Sequence, residues 1–526
     1  MQQIQANVSK DILKKADRLF AGTKSGRISE MLQNARRAGA STVIITNKDG
    51  WVTIKDDGRG ISDFQKLLEL GSCGWNEDIV TGEDAAGVGF FSIMPREVIV
   101  QSGRTRARIH GDGWTGEPVP IIDIEESIKG TVVMFKDDPW DLYDVEAQAR
   151  YSGLHVIVDG DICDKKAFVS RKAVEYPELG IHVEVTEDAP EGRCFNNYYC
   201  HGYTGLYVNY HGVVLGMDIT GKMYKEEKRH VRVEISDTSK IRLLLPARTK
   251  LVEDEAYEQM EEIAYVEFFK SFLGQEHHLS FELYEKAVGL GVQISEAVPE
   301  IKPLNPSDSG FDPWVDDIEC KDEEFQEAKK YLIKDHDNED EINSYIFRMH
   351  GTDHQGFLPV EIKSRYKGYS WADLPVVEKI IVEKTKEITS YLLHFGNIIL
   401  YESLKMTIHT SDEATYTTQV PIAVFNDDTT AYVTWEAEAE VEEGLLMLCL
   451  GGYSDDGDTW ETQEYYFEEN LREFWNSLRG EYENLKLKVL DGIKHNMPCS
   501  KNWSKIVINK DETVEIILED GTVETA

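Results

Sequence analysis

Hydrophobic positions in the first part of the chain change from helical spacing to strand spacing near residue 40. Residues 8–39 contain two amphipathic segments with apolar side chains three or four positions apart, which predicts helix. Residues 42–46 and 51–54 are β-rich, and the Asn-Lys-Asp-Gly sequence between them is typical of a hairpin turn. The pattern also predicts short helices at 63–70 and 90–94 and strands at 98–101, 105–110 and 131–135.

The rest of the chain divides into a strand-rich region and a later region of mixed character. Strand-like runs occur at 156–158, 182–185, 206–210, 231–235 and 242–245, and a helical run follows near 254–273. The proline-containing stretch 297–315 is the best candidate for a linker. Beyond it, helices are predicted near 322–333, 372–393 and 464–490.

Composition is that of a soluble globular protein. Of 526 residues, 41% are hydrophobic and 29% charged, and no apolar run reaches the roughly 18 residues that span a membrane. The first residues lack the basic and apolar regions of a secretory signal. Seven scattered cysteines form no disulfide framework. These features predict a cytoplasmic protein without membrane contact.

Charge is distributed unevenly along the chain. Residues 1–250 carry 33 basic and 37 acidic side chains, whereas residues 251–526 carry 23 basic and 59 acidic side chains. The nearly neutral first half can accept a polyanionic ligand such as ATP, while the acidic second half repels nucleic acid. The acidity predicts a solvated surface, and the alternative is a patch that mimics DNA or binds a basic partner.

The first candidate for chemistry is a glutamate and an asparagine one helical turn apart, Glu30 and Asn34. Their spacing places a carboxylate and an amide on one helix face. An amide oxygen suits Mg²⁺ that carries nucleotide phosphates, and a neighbouring carboxylate can deprotonate an attacking water. Taken alone, such a pair is more often ordinary helix surface.

Three glycine-containing motifs follow. Asp56–Gly60 (Asp-Asp-Gly-Arg-Gly) comes directly after a predicted strand, where a fixed carboxylate can accept a hydrogen bond from adenine N6 and glycines let backbone approach a flat ligand. Gly87–Phe90 (Gly-Val-Gly-Phe) runs into a predicted helix, whose first amides can hold phosphate. Gly130-Thr131 opens a strand. Taken alone, Asp56–Gly60 is more often a simple turn, a single Gly-x-Gly is weak evidence of a phosphate site, and a Gly-Thr pair commonly opens a strand.

Together and in this order, the four motifs resemble the Bergerat ATP-binding pocket of the GHKL superfamily (gyrase, heat-shock chaperone, histidine kinase, MutL). The similarity is closest to the ninety-kilodalton heat-shock chaperones and MutL. The run Asn34–Ala40 is also similar to one in phage-encoded ATP-binding proteins. We therefore expect an α/β fold with a Bergerat-type sandwich at 1–145, a transducer-like α+β domain at 146–275, a helix and linker at 276–320 and an acidic α+β domain at 321–526.

The resemblance implies a role for each matching position. Glu30 corresponds to the general base, Asn34 to the Mg²⁺ ligand and Asp56 to the acceptor of the adenine amine. The remaining contacts with ATP would come from Gly58, Gly60, Gly87, Val88, Gly89, Phe90 and Thr131. Residues 71–86 correspond to the ATP lid.

Basic residues at two further positions bear on the resemblance. Many relatives place an acid three residues after the asparagine, where this chain has Arg37. The change alters local charge without removing a phosphate or base contact. In gyrase-like relatives a transducer loop sends a lysine to the γ-phosphate, which makes Lys250 the candidate and Arg248 the second. A solvated basic turn is an equal alternative for this loop.

These observations predict an Mg²⁺-dependent ATP-binding protein that slowly hydrolyses ATP to ADP and phosphate. Its nucleotide state would drive lid closure or dimerisation and act on a protein partner in the cytoplasm, or in the host cytoplasm for a phage protein. Two alternatives stay open. One is a nucleotide-sensing protein with little hydrolysis, whose acidic C-terminal region captures a partner. The other is a DNA-transaction ATPase, although the acidity of residues 251–526 argues against DNA binding there.

Overall fold

The structure is a computed structural model in which the chain forms two compact units, residues 1–298 and 299–526. The residues it describes are 23–69, 89–191, 205–218, 229–237, 239–244, 250–305, 322–334, 338–350, 356–393, 396–425, 430–438, 446, 450, 460–479, 503–509 and 514–525. Both units combine helices with β-sheets, so the fold has the mixed α/β character that the sequence predicts. Among the described helices, none is both long and apolar enough to cross a membrane.

Two sheets organise the first unit. Its described helices are α1 (Lys24–Arg37), α2 (Leu142–Ala149), α3 (Glu255–Lys270) and α4 (Phe281–Gly289). Its strands are β1 (Thr42–Lys48), β2 (Trp51–Asp56), β3 (Val98–Ile109), β4 (Ile121–Lys136), β5 (His155–Val158), β6 (Asp161–Ile162), β7 (Val174–Tyr176), β8 (Ile181–Thr186), β9 (Gly205–Tyr210), β10 (Val213–Asp218) and β11 (His230–Ile235). The first sheet has the order β3-β4-β2-β1-β5-β6 and the second β10-β9-β11-β8-β7. Neighbours are antiparallel except β1–β5 and β9–β11.

Helix α1 packs on the first sheet through one apolar face. Thr23 caps the helix, because its hydroxyl accepts a hydrogen bond from the amide of Gly26 at 3.1 Å. Ile28 and Leu32 are buried in one core with Val43 of β1. This is the face that the apolar spacing predicts for the second amphipathic segment, while residues 8–22 of the predicted helical region lie outside the described residues.

The predicted hairpin between β1 and β2 is confirmed. The two strands pair antiparallel along their length. Asp49 and Gly50 have φ values of 52° and 75°, the left-handed conformation that a two-residue hairpin turn requires. The hairpin ends with Asp56 as the last residue of β2.

Helix α3 covers the second sheet with aromatic side chains. Phe268 and Phe269 are fully buried in a core that includes Val233 of β11. Asp254 caps the helix by accepting hydrogen bonds from two amides of its first turn at 3.1 Å. The helix predicted near 254–273 is thereby confirmed, whereas β10 is a strand that the sequence pattern did not indicate.

Three short predictions around the first sheet are modified. The segments predicted as helix at 63–70 and 90–94 contain only 3-10 turns, at Phe64–Leu68 and Gly89–Ile93. Pro95 follows the second turn and disfavours helical backbone in the residue before it, which limits this element. The two strands predicted between 98 and 110 are one continuous strand, β3.

The second unit has two larger sheets over a shared hydrophobic core. Its helices are α5 (Asp322–Glu327), α6 (Asn338–His350) and α7 (Trp460–Leu478). Its strands are β12 (Lys302–Pro303), β13 (Lys329–Ile333), β14 (Phe357–Glu361), β15 (Val376–Lys384), β16 (Glu387–Leu393), β17 (Gly396–Tyr401), β18 (Leu404–Thr410), β19 (Thr415–Val420), β20 (Ile422–Phe425), β21 (Thr430–Val433), β22 (Trp503–Ile508), β23 (Val514–Leu518) and β24 (Val523–Thr525). The sheet orders are β12-β14-β13-β15-β18-β19, β16-β17-β21-β20 and β22-β23-β24. Side chains from α6, α7 and the first two sheets form the core.

The helix predicted at 372–393 is wrong, because this segment forms β15 and β16. In β15, Ile380 pairs with Ile408 and Val382 with Met406 of β18. Branched side chains at these positions pack well on a neighbouring strand and lose rotamer freedom in a helix, so pairing outweighs the apolar spacing. The helix predicted near 322–333 likewise ends early and is followed by β13, whereas α7 confirms the described part of the helix near 464–490.

Candidate functional site

A cavity of about 290 Å³ lies beside α1 in the first unit. Its walls come from α1, from β2 and β4 and from the segments that follow β2 and precede β3. Seven residues of the sequence-predicted site line it together: Glu30, Asn34, Asp56, Gly60, Gly89, Phe90 and Thr131. The structure therefore brings the helix pair, the strand-end aspartate, the second glycine motif and the Gly-Thr strand to one place.

Asp56 lines this cavity and is held by the backbone. Its Oδ1 accepts hydrogen bonds from the amide of Gly58 at 2.9 Å and from the amide of Thr131 at 3.3 Å. Burial raises the pKa of the Asp56 carboxyl, and these two donors oppose the shift. The side chain is thus a fixed, half-buried hydrogen-bond acceptor at the end of β2.

Two glycines form a close backbone contact beside Asp56. Gly60 and Gly130 have φ values of 79° and 76°. A Cβ atom on Gly130 would lie 2.0 Å from the carbonyl oxygen of Asp56, so no larger residue fits without a shift of the backbone. Ser102 joins the two segments, because its hydroxyl accepts from the Ile61 amide and donates to the Gly130 carbonyl, both at 2.8 Å. Sequence reasoning did not identify Ser102, which belongs to no motif.

The neighbouring carboxylate, Asp57, has a different position. It accepts hydrogen bonds from the amides of Ser41 and Thr42 at 2.8 and 2.9 Å and from the Ser41 hydroxyl at 2.8 Å. These donors lower the pKa of Asp57 to about 2. Asp57 fixes the start of β1 and does not line the cavity, so the two adjacent aspartates are distinguished by their contacts.

Glu30 and Asn34 lie at the α1 wall of the cavity, as their spacing predicts. Glu30 is buried, with 7% of its surface exposed. It packs directly on the backbone of Gly89, where an added Cβ would lie 1.6 Å from Glu30 Oε1. The helix carboxylate therefore meets the segment that the sequence assigns to phosphate binding.

Arg37 was not assigned to the site, yet its buried guanidinium reaches both α1 residues. Its Nη1 lies 3.4 Å from Asn34 Oδ1 and 3.8 Å from Glu30 Oε1. Only 4% of the Arg37 side chain is exposed. The i, i+3 and i, i+7 spacings place the three residues on a shared helix face, so the sequence does carry a signal for these contacts.

The other lining residues missed by sequence reasoning are apolar or basic, apart from Ser62 and the acidic Asp63. The apolar group includes Ala38, Ile54, Ile61, Leu67 and Val133, and the basic group includes Arg59 and Lys66. Ile54 and Val133 come from paired strands, β2 and β4. Their contribution could not be predicted, because alternation along a strand does not reveal which face meets a ligand.

Several predicted site residues do not line the cavity. Gly58 packs against Ala38, and its amide supports Asp56. Lys250 is exposed, and its carbonyl accepts a hydrogen bond from the Leu244 amide at 2.8 Å. Gly87, Val88, Arg248 and the predicted lid at 71–86 lie outside the described residues.

Other side chains of α1 contact the second sheet and its flanking segment in the same unit. Gln33 donates to the carbonyl of Tyr210 at 3.5 Å, and Arg36 forms an ion pair with Asp237. Glu234 of β11 lies close to this contact, and its carboxylate accepts from the Asn209 amide group at 2.9 and 3.0 Å. The helix that carries Glu30 and Asn34 is thus joined to the second sheet by polar contacts.

Glu234 is expected to make the stability of this unit depend on pH. Burial raises the pKa of its carboxyl from 4.5 to about 7. The folded chain therefore binds this proton more tightly than the unfolded chain, and the stabilisation is complete below about pH 4.5 and lost as pH rises through about 7. In the native chain the free energy of unfolding should fall between about pH 5 and pH 8, and we expect this fall to be smaller by about 2 kcal/mol in Glu234→Gln. Urea unfolding at each pH measures the difference.

A glutamate on the adjacent strand provides the control. Glu184 of β8 pairs in register with Arg232 of β11 and accepts a hydrogen bond from the Ser170 amide at 2.6 Å. Glu184→Gln should retain the native dependence of unfolding free energy on pH. Equal pH profiles for the native chain and Glu234→Gln would contradict the role of Glu234.

No protein-family model matches this chain, and no curated protein matches it. A solved structure described as the crystal structure of the N-terminal domain of a DNA repair protein is similar to it at 12% sequence identity and a TM-score of 0.31. The match covers 53% of this chain and 99% of that one. A likeness at this level assigns nothing, and the functional conclusion rests on the cavity.

Proposed function

We propose that this chain binds ATP with Mg²⁺ in the cavity beside α1, as a member of the GHKL superfamily with a Bergerat-type first domain, and hydrolyses it slowly. The observation that supports this most strongly is convergence. Glu30 and Asn34 of α1, Asp56 at the end of β2 and Gly89 come from separate motifs and line one cavity. Such a cavity with apolar walls and a few fixed polar groups is the usual form of a small-molecule site.

The part of the cavity near Asp56 suits adenine. A carboxylate held by two backbone amides can accept a hydrogen bond from the exocyclic amine, and Thr131 lies beside it. Ile54 and Val133 supply apolar surface for the faces of the base. Guanine carries an acceptor oxygen where adenine carries the amine, so the same carboxylate would repel it.

The part of the cavity lined by Glu30, Asn34 and Gly89 suits phosphates and a magnesium ion. The described residues contain no group of three or more His, Cys, Asp or Glu side chains that could hold a metal by themselves. Asn34 and Glu30 nevertheless offer oxygen donors, and Mg²⁺ is commonly bound by one or two protein groups together with nucleotide phosphates. When bound, the ion neutralises charge on the phosphates during transfer.

Glu30 would direct the hydrolysis step. Its carboxylate aligns a water for attack on the γ-phosphorus and accepts the water proton as the bond to the β,γ-bridging oxygen breaks. The products are ADP and phosphate. Its contact with the Gly89 backbone keeps the carboxylate next to the proposed phosphate segment. Closure around ATP would then change the conformation or association of the chain and so act on a protein partner.

A second candidate function, nucleotide sensing with little hydrolysis, is favoured by one observation. The Arg37 guanidinium lies 3.8 Å from Glu30 Oε1. An ion pair with Arg37 competes with the attacking water for the Glu30 oxygens, and a general base must lie within hydrogen-bond reach of that water. ATP would still bind and alter the chain, but turnover would be minor.

Calorimetric titration of the full chain tests the proposed binding directly. With Mg²⁺ present, we expect ATP and ADP to bind and GTP to bind at least about tenfold more weakly, because guanine places an acceptor against Asp56. If none of the three nucleotides gives a binding signal, the proposal of an ATP site is refuted. Equal affinity for ATP and GTP would remove the role of Asp56 in base recognition.

Lys250 belongs to the proposal as the contact with the γ-phosphate that the resemblance implies. Because it does not line the cavity, this contact requires a conformational change after ATP binds. We expect Lys250→Ala to lower ATP turnover by at least about tenfold and to leave ADP affinity unchanged. The exposed Lys240 offers the matched control, since Lys240→Ala should change neither quantity. Equal losses of turnover and ADP affinity in Lys250→Ala would contradict the sensing role.

A further inference from the structure

We propose that Arg37 is a built-in cation of the phosphate subsite, which makes ATP binding by this chain only weakly dependent on Mg²⁺. The inference rests on the proposed ATP site and specifies how that site balances charge. Arg37 lines the same cavity as Glu30 and Asn34, and its guanidinium contacts both of their side-chain oxygens.

Arg37 places a positive charge next to the two side chains, Glu30 and Asn34, that are proposed to contact the phosphates and the metal. The guanidinium Nη1 lies 3.4 Å from the amide oxygen assigned to the metal, so a fixed positive charge already occupies the neighbourhood of the metal ligand. A guanidinium presents several donors in one plane and binds phosphate oxygens well. Bound phosphate and Glu30 would compete for these donors.

Burial distinguishes Arg37 from the other cations along the cavity wall. The Lys66 side chain is 39% exposed and pairs with Glu69 at 3.0 Å, and Arg59 is exposed. The Arg37 side chain is 4% exposed. A buried charge is screened much less by water and salt than an exposed one, so Arg37 has the strongest effect on a phosphate bound beside Glu30 and Asn34.

Consequences for binding follow from this charge balance. A carboxylate without a neighbouring cation would repel the phosphates of ATP, and a metal ion would be required to offset that repulsion. Arg37 supplies part of the positive charge that the metal ion would otherwise have to provide. Removing Mg²⁺ should therefore weaken ATP binding by less than about tenfold in the native chain and by more than about a hundredfold in Arg37→Gln.

The preceding residue provides a matched control. Arg36 has the same chemistry on the same helix, but it does not line the cavity and its guanidinium pairs with Asp237. Arg36→Gln should keep the native ratio of affinities with and without Mg²⁺. Arg37→Lys, which keeps the charge but not the planar donors, should fall between the native chain and Arg37→Gln.

The experiment is calorimetric titration of the full chain and these variants with a non-hydrolysable ATP analogue, with Mg²⁺ or with a chelator. Circular dichroism verifies that each variant is folded. A native affinity that falls more than about a hundredfold in chelator overturns the inference even if no variant folds. Equal ratios in the native chain and Arg37→Gln also overturn it. Absence of binding in both buffers would instead refute ATP binding itself, and the inference with it.

Discussion

Asp56→Asn is expected to lower the affinity for ATP by at least about a hundredfold, equivalent to roughly 3 kcal/mol. The asparagine keeps Oδ1, which accepts from the amides of Gly58 and Thr131, so the end of β2 can retain its structure. It replaces the second carboxylate oxygen with an NH₂ group. The NH₂ group of the asparagine would face the exocyclic amine of adenine, and both are hydrogen-bond donors. Burying two donors without an acceptor costs binding free energy. Calorimetric titration with ATP measures the loss.

Asp57→Asn is the control that the sequence itself supplies. The substitution is chemically identical and lies one residue away, but Asp57 binds Ser41 and Thr42 at the start of β1 and does not line the cavity. We expect a lower unfolding midpoint with unchanged ATP affinity. If both variants lose affinity equally, the effect is a general loss of structure. If Asp56→Asn binds ATP as the native chain does, Asp56 does not recognise adenine.

The sequence predicted the parts of the fold that depend on local chemistry. The hairpin of β1 and β2 was predictable because Asp49 and Gly50 tolerate the positive φ that its turn requires. The apolar face of α1 was predictable for a similar local reason, the spacing of its apolar residues. Strands β15 and β16 were not, since their apolar residues also fit helical spacing and only pairing with β18 and β17 selects the strand.

The same distinction applies to the candidate site. Glu30, Asn34 and Asp56 belong to recognisable short motifs, and their side chains do line one cavity. Ser102 and the backbone contact of Gly130 with Asp56 depend on the pairing of β3 with β4 and of β4 with β2, which no local pattern specifies. Arg37 was noticed only as a departure from a family pattern, and its contacts with Glu30 and Asn34 give that departure a physical meaning.

Glu30→Gln is expected to leave ATP bound and to lower its hydrolysis by about a hundredfold or more, the usual contribution of a general base. Glutamine has nearly the same shape, so it can occupy the space against Gly89, where an added Cβ would lie 1.6 Å from Glu30 Oε1. Its amide cannot accept the proton of the attacking water. Calorimetry for ATP affinity and phosphate release for turnover separate the two effects.

Glu146→Gln provides the comparison for a glutamate outside the cavity. Glu146 lies on α2 and pairs with Arg150 at 2.7 Å, so its loss should change neither affinity nor turnover. Removing the Glu30 charge also frees Arg37 from one of its partners, and ATP affinity in Glu30→Gln should therefore equal or exceed the native value. A variant that hydrolyses ATP at the native rate would exclude Glu30 as the base. A native chain with measurable ATP binding and no turnover, unchanged in Glu30→Gln, would instead identify the chain as a nucleotide sensor.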